Sequence, residues 1–128
     1  MEKKLGWGNF STVWQCREQG KDMQVAVKVN KSHKEVAEMA NDEIELLQCI
    51  AKASSASHSG SKFLLQLVGH FEVEGPNGRH ICLTLELLGC SLLKCYKPDK
   101  EGMPLAKVRE VLPFCFQLDV SFVHLFIY

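Results

Sequence analysis

Residues 5–30, LGWGNFSTVWQCREQGKDMQVAVKVN, decide the fold of this chain of 128 residues. Aromatic and β-branched residues broken by glycine predict strands over 5–16 and 23–30, and the Gly-Lys-Asp of 20–22 predicts the turn between them. In the second strand the valines alternate with smaller and charged residues, so Lys28 lies on the face of the sheet opposite the valines.

The clearest helix is predicted over residues 34–52, KEVAEMANDEIELLQCIAK. Its apolar residues recur at helical spacing and form one stripe, and Ser32 is predicted to cap the first turn. The stripe consists of Val36, Ala40, Leu47 and Ile50.

The chain then returns to strands. The serine-rich residues 53–62 predict a flexible loop, and residues 63–73 have the pattern of a strand. The Gly-Pro-Asn-Gly of 75–78 predicts a hairpin turn that leads into a long apolar strand over 80–88. Strands that surround one helix in this order indicate an α+β fold built on an antiparallel sheet.

Beyond Gly89 the pattern is weaker. A short segment over 91–96 and a polar loop precede a helix that is predicted to begin at Met103-Pro104 and to stop at Pro113. Residues 113–128 form an atypical apolar tail, which is too short for a membrane span.

Composition narrows the class of protein. The net charge is zero, 46% of the residues are hydrophobic and 23% are charged, which predicts one ordinary globular domain and excludes compositional disorder. Neutral charge also removes the electrostatic argument for a nucleic-acid or membrane partner. The six cysteines include no CxxC pair, so we expect free thiols in a reducing compartment and no structural zinc. The N-terminus has no apolar segment of the kind found in secretory signals.

The glycine-containing turn of 6–11, GWGNFS, is the first candidate site. Glycines two apart in a hairpin allow the backbone to approach a phosphate and to direct amide N–H groups at it. Many hairpins carry this pattern without a ligand. The missing GK[ST] excludes a P-loop, and the following strand disfavours a dinucleotide fold.

Lys28 and Glu43 form the second candidate site. A lysine in an apolar strand needs either an anion or a solvent-exposed sheet edge. Glu43 lies within the apolar stripe of the helix, where a carboxylate is costly unless it meets a cation. Taken separately, each has an ordinary structural explanation, but together they are predicted to pair. Asp42 and Glu45 point elsewhere and are predicted to be solvated.

The run ELLG of 86–89 ends the long apolar strand and is the third candidate. Backbone groups that lack sheet partners beside an apolar wall suit a flat heteroaromatic ring. A strand that simply ends at a glycine turn has the same pattern.

In this order and spacing, the candidate sites resemble the small lobe of a protein kinase. The segments LGWGNFSTVW, VAVKV, DEIELL, LVGHF, GPNGRHICL and ELLGCSLLK are similar to those of the SR-protein kinases, serine/threonine kinases that phosphorylate Arg-Ser-rich splicing factors in mRNA splicing regulation. The resemblance covers about residues 4–112. It implies an α+β kinase small lobe with a five-stranded antiparallel sheet and one long helix (helix C), followed by the start of the large lobe.

The resemblance implies three regions and an ATP site. The small lobe would span 1–88, the hinge and first segments of the large lobe 89–112, and the atypical tail 113–128. The implied ATP-binding residues are Leu5, Gly6, Trp7, Gly8, Asn9, Phe10, Ser11, Val13, Ala26, Lys28, Glu43, Leu85, Glu86 and Leu88.

Each part of the implied site has a role in the family. The glycine hairpin would form a lid over ATP, and Ala26 would touch the adenine. Lys28, oriented by Glu43, would hold the α- and β-phosphates. Leu85 would be the gatekeeper, where the family more often has Phe. The hinge contacts to adenine would come from the carbonyl of residue 86 and the amide of residue 88.

The catalytic residues of the family have no counterpart in this sequence of 128 residues. No HRD and no DFG motif occurs, so the base Asp and the magnesium-binding Asp and Asn are missing. We therefore expect a truncated kinase with no catalytic or metal-binding residues of its own, weak or no binding of Mg-ATP, and no activity alone. The docking groove for splicing factors is expected to be missing as well. The resemblance implies a cytoplasmic and nuclear location.

Two other functions stay open. One is a non-catalytic, pseudokinase-like regulator or interaction fragment that competes for partners of the full kinase. The other is a small β-rich binding module unrelated to nucleotides, in which Lys28 and Glu43 are energetically independent. A double-mutant cycle on this pair discriminates between the last possibility and a kinase.

Overall fold

The computed structural model describes residues 1–54, 64–89 and 106 of the chain. The chain divides into two compact units, Met1–Leu87 and Leu88–Tyr128. The first unit contains the five strands and the long helix on which Lys28 and Glu43 lie.

The first unit consists of a sheet and a helix. Its elements are β1 (Lys3–Trp7), β2 (Ser11–Arg17), β3 (Gln24–Asn30), α1 (Lys34–Ser54), β4 (Leu67–Gly75) and β5 (Gly78–Glu86). The strands are ordered β1-β2-β3-β5-β4, and every neighbouring pair is antiparallel. Within the part of the chain that the structure describes, the predicted α+β fold with five antiparallel strands and one long helix is confirmed.

The strand that carries Lys28 lies at the centre of the sheet. β3 pairs with β2 on one side and with β5 on the other, and Lys28 lies opposite both Val13 and Leu83. The explanation of Lys28 as an edge-strand lysine is therefore wrong. Its charge needs a partner in the protein or in a ligand, because both sides of its strand are occupied.

The core lies between α1 and one face of the sheet. It consists of Ala26, Ala40, Ile44, Leu47, Ile81, Leu83 and Leu85. Leu83 is completely buried and Leu47 is 2% exposed, so truncation of either leucine is expected to cost about 2–5 kcal/mol of stability. Ile44 was missing from the predicted stripe, because a helix that packs on a sheet buries a wider face than a single narrow row of residues.

The start of α1 differs from the prediction. The amide of Ala37 donates to the carbonyl of His33 at 2.9 Å, so the helical hydrogen bonds begin from His33. The prediction of Ser32 as the cap is therefore wrong. The Ser32 hydroxyl donates instead to the backbone carbonyl of Asn77, in the turn between β4 and β5.

The β4–β5 hairpin has the predicted turn. Gly75 pairs with Gly78 across the two turn residues, and Gly78 has a φ of 107°. β4 begins later than predicted, because the preceding residue is held by Glu86. The backbone amide of Gln66 donates to the Glu86 carboxylate at 2.8 Å, and the backbone carbonyl of Gln66 accepts from the backbone amide of Glu86 at 3.1 Å.

Some predictions fall outside the described residues. These are the loop beyond Ser54, the first residue of the predicted strand over 63–73, and the elements predicted after Gly89, apart from Ala106, which is helical. Among the described residues, no helix has the length and apolar character needed to cross a membrane.

Gly78 offers a direct test of the hairpin. Gly78→Ala is expected to lower the free energy of unfolding by about 1–2 kcal/mol, because its backbone is in the left-handed region that disfavours a Cβ. Gly69→Ala, on β4, has no such backbone strain, and its added methyl group would meet no atom within 4 Å. Urea unfolding of both variants should separate them, and equal stabilities would contradict the turn geometry.

Cys82 offers a test of burial. It is 1% exposed, and burial raises the pKa of its thiol above the ordinary value. Because alkylation requires the thiolate, iodoacetamide at pH 8 should modify exposed Cys49 and leave Cys82 intact until denaturant is added. Peptide mass spectrometry measures both sites in one sample. Similar alkylation rates for the two thiols in the native protein would contradict this core.

Candidate functional site

An ion pair between β3 and α1 lies at the centre of the candidate site. Lys28 Nζ donates to both carboxylate oxygens of Glu43, at 2.6 Å to Oε2 and 2.8 Å to Oε1. The lysine side chain is 25% exposed and the glutamate side chain 16% exposed. Partial burial makes the pair stronger than a surface salt bridge, while part of the lysine side chain remains exposed.

Local sequence explains why these two side chains meet. Alternation along β3 directs Lys28 to the face of the sheet on which Ala26 contributes to the core. Glu43 lies on the helix between Ala40 and Leu47, both of which are buried against that face. The predicted contact between the two charges is therefore present, while Asp42 and Glu45 are exposed, as expected for solvated charges.

The glycine hairpin continues the row that contains Lys28. Gly6 lies opposite Val13, Val13 lies opposite Lys28, and Lys28 lies opposite Leu83. Residues directly opposite one another point to the same face of a sheet, and neighbouring strands are about 4.8 Å apart. Gly6 is thus about 10 Å from Lys28 along this row, measured between backbones as two strand spacings.

Nothing inside the described part of the chain requires the two glycines of this hairpin. A Cβ added at Gly6 or Gly8 would meet no atom within 4 Å, and neither residue has a positive φ. The Gly8 amide closes the turn by donating to the Ser11 carbonyl at 2.9 Å. The open space beside the backbone is available to a ligand.

The side chain of Trp7 lies on the other face of the sheet. Trp7 pairs with Thr12, one position away from the row of Gly6 and Val13, and Lys4 Nζ lies 4.7 Å from the centre of its ring. Trp7 is 77% exposed. Of this residue only the backbone, and not the indole, is placed to contribute to the same site as Lys28.

Of the remaining lid residues, Leu5 lies within β1, Ser11 begins β2, and Asn9 and Phe10 lie between these strands. Leu5 is the extra residue of a β-bulge between Lys4 and Gly6, an irregularity that redirects a side chain. Asn9 and Phe10 form the exposed tip of the hairpin.

The residues predicted to contact the adenine ring are only partly brought together in the structure. Ala26 and Leu85 lie opposite each other on β3 and β5, and both are buried in the core. Glu86 ends β5 and uses its carboxylate to hold Gln66. Leu88 belongs to the second compact unit.

Sequence reasoning missed one polar residue. Asn30, at the end of β3, is 4% exposed, and its side-chain amide donates to the Ile81 carbonyl at 3.1 Å. The available signal in the sequence was an asparagine directly after the apolar strand residues, since a polar side chain that is buried there needs a hydrogen-bond partner. Within residues 1–54, 64–89 and 106, no group of three or more His, Cys, Asp or Glu side chains is placed to hold a metal ion.

A double-mutant cycle tests the central ion pair. Lys28→Met, Glu43→Gln and the double variant should give a coupling free energy of about 1–3 kcal/mol, between the values for exposed and fully buried pairs. The exposed pair of Lys34 and Glu38, 3.9 Å apart on α1, is the control and should give at most about 0.5 kcal/mol. Zero coupling for the first pair would favour the independent binding module.

Comparison with known proteins finds protein kinases that are similar to this chain. It is 41% identical over 111 residues to SRSF protein kinase 3 of Mus musculus, which covers 86% of this chain and 20% of the relative. It is 38% identical over 112 residues to the serine/threonine-protein kinase SKY1 of Saccharomyces cerevisiae, covering 85% of this chain and 15% of the relative. The protein kinase dsk1 of Schizosaccharomyces pombe is 36% identical over 126 residues, covering 98% of this chain and 22% of the relative.

The fold agrees with these relatives. A crystal structure of a kinase domain superimposes with a TM-score of 0.59 at 27% identity, covering 73% of this chain and 25% of that domain's chain. No family profile matches the chain. The chain spans about a fifth of the length of the mammalian relative and of dsk1. By sequence over most of its length, and by the small-lobe fold of its described part, the chain is a homologue of the SR-protein kinases.

Proposed function

We propose that the described sheet and helix form the nucleotide-facing half of an ATP site of the SR-protein kinase type. The observation that carries this proposal is the Lys28–Glu43 ion pair, with its Nζ–Oε2 distance of 2.6 Å, on the central strand. A lysine held at that position by a carboxylate of the helix is the small-lobe arrangement that pairs with the α- and β-phosphates in protein kinases.

Lys28 would neutralise phosphate charge, and Glu43 would be the residue that orients it. The carboxylate holds Nζ at a fixed point of the sheet, so the ammonium group need not be ordered when an anion arrives. Because the lysine side chain is 25% exposed, an anion can approach it while Glu43 remains in contact. This division of roles predicts that Glu43 affects ATP affinity less than Lys28 does.

The glycine hairpin would cover the phosphates. The open space beside Gly6 and Gly8 allows close approach of a phosphate to the backbone. Since the Gly8 amide is already used by Ser11, we assign the contacts with phosphate to the backbone amides of Asn9 and Phe10. Val13, opposite Lys28, would contribute apolar contact beneath the lid.

The adenine would lie against the start of β3 and the end of β5. Ala26 and Leu85 supply the apolar surface, with Leu85 as gatekeeper, and Leu5 would contribute from the bulge of β1. From this unit, a hydrogen bond to the ring would come from the backbone carbonyl of Glu86, the last residue of β5. The Glu86 side chain is held by Gln66 and supports this position of the backbone.

These 128 residues alone are proposed to bind ATP weakly and not to transfer phosphate. They contain no HRD or DFG motif to supply the base and the magnesium ligands, and phosphoryl transfer depends on positioning and charge neutralisation. In a protein that supplies those groups, the substrate class expected from the relatives is Arg-Ser-rich splicing factors. The cytoplasm and nucleus are the corresponding locations.

Thermal unfolding with Mg-ATP tests the nucleotide site. If the ATP concentration reaches tenfold its Kd, ligand binding should stabilise the chain by about 1.4 kcal/mol, or roughly 3–8 °C in Tm for a domain of this size. Lys28→Met should abolish the shift, because it removes the cation that meets the phosphates. Lys34→Met, a matched change at an exposed lysine of α1, should retain it.

The outcomes separate the candidate functions. A shift that survives in Lys28→Met would contradict the proposed site, and no shift in the unmodified chain would leave the non-catalytic regulator as the better explanation. Transfer of labelled phosphate to an Arg-Ser peptide by the purified chain, lost in Lys28→Met, would overturn the expectation of inactivity.

A further inference from the structure

The short connection between β3 and α1 is tied to the β4–β5 hairpin by side-chain hydrogen bonds. Asn30 donates its amide to the Ile81 carbonyl at 3.1 Å, and His80 Nδ1 lies 2.8 Å from the Asn30 carbonyl. Because a carbonyl only accepts, His80 Nδ1 carries the proton in this contact. The Ser32 hydroxyl donates to the carbonyl of Asn77. We call the side chains of Asn30, Ser32 and His80, with these hydrogen bonds, the anchor network.

The same connection also meets the glycine hairpin. The Lys31 amide donates to the Phe10 carbonyl at 2.9 Å. Residues 30–32 are therefore bonded on one side to the lid of the proposed ATP site and on the other side to the β4–β5 hairpin. The lid, the lysine strand and the first turn of the helix all meet at this connection.

One directional contact joins the middle of α1 to the sheet, the Lys28–Glu43 ion pair, and the anchor network holds the residues just before the helix. The buried apolar side chains Ala40, Ile44 and Leu47 set which face of the helix packs on the sheet, but apolar contacts are non-directional and limit a small shift along the helix axis less sharply than polar contacts do. Hydrogen bonds and close ion pairs limit such a shift, since they weaken steeply with distance and angle. The anchor network holds the connection that leads into the helix, and the ion pair to Glu43 holds the middle of the helix.

We infer that Asn30, Ser32 and His80 are positioning residues for Glu43, which set the register of α1 so that its carboxylate meets Lys28. They touch neither member of the ion pair. Their effect is carried by the connection of residues 31–33 into the helix, whose backbone hydrogen bonds begin at His33. This inference rests on the proposed function for its meaning in a kinase site, but the contact that it concerns is present without a nucleotide.

The test measures the coupling between Lys28 and Glu43 in different backgrounds of the full chain. The double-mutant cycle is repeated in His80→Ala, and the coupling free energy is expected to fall to half or less of its original value. Arg79→Ala is the matched control, because Arg79 is adjacent in the same strand and makes an exposed ion pair with Glu72 at 3.0 Å. That control should leave the coupling unchanged. A residue with only a general structural role would lower Tm without changing the coupling.

Two further variants keep the inference testable. His80→Asn retains an N–H donor at nearly the position of Nδ1 and should recover most of the coupling. Ser32→Ala, at a partly exposed site, removes one bond of the network and serves if His80→Ala does not fold. Unchanged coupling in both His80→Ala and Ser32→Ala would overturn the inference.

The Mg-ATP shift in Tm distinguishes this inference from the proposed function. Loss of coupling in His80→Ala, with no ATP shift in the unmodified chain, would support the positioning role and contradict the nucleotide site. An ATP shift in the unmodified chain with unchanged coupling in the variants would do the reverse. If both proposals hold, His80→Ala should bind ATP more weakly and Arg79→Ala should bind it normally.

Discussion

The ion pair between Lys28 and Glu43 is the constraint to which the rest of this small lobe conforms. A lysine on the central strand of a five-stranded sheet has a strand on each side, and the side chain of Lys28, 25% exposed, lies on the face that the helix covers. Its partner must come from the element that covers that face, and the element is α1. Strand order, helix packing and helix register are thus linked through one contact between two charges.

The main elements were predictable because their signals are local. Alternation along β3, the stripe of α1 and the glycine turn of the β4–β5 hairpin each depend on residues close together in the sequence. The Lys28–Glu43 contact could be inferred from the same patterns, since each charge lies on the apolar face of its own element. Strand order was accessible only through resemblance, because β3 and β5 are separated by a helix and another strand.

The remaining features depend on partners distant in the chain. Ser32 has the residue type of a helix cap, but its hydroxyl donates to Asn77, 45 residues away. Asn30 donates to Ile81 across 51 residues. Such contacts have no period and no local motif, so an interpretation confined to neighbouring residues gave Ser32 the wrong partner and overlooked Asn30. Ile44 was missing from the predicted apolar stripe for a different reason, because the width of a buried helix face depends on what packs against it.

At Gly6 and Gly8, selection on ligand binding can act separately from selection on folding stability, although both usually act on the same residue. Leu83 and Leu47 are fixed by packing, so variation at either position is limited by folding before any ligand is considered. At the two glycines no neighbour within 4 Å limits the size of a side chain. Sequence variation at these positions therefore records selection on what the hairpin accommodates, largely independent of selection on the stability of the domain.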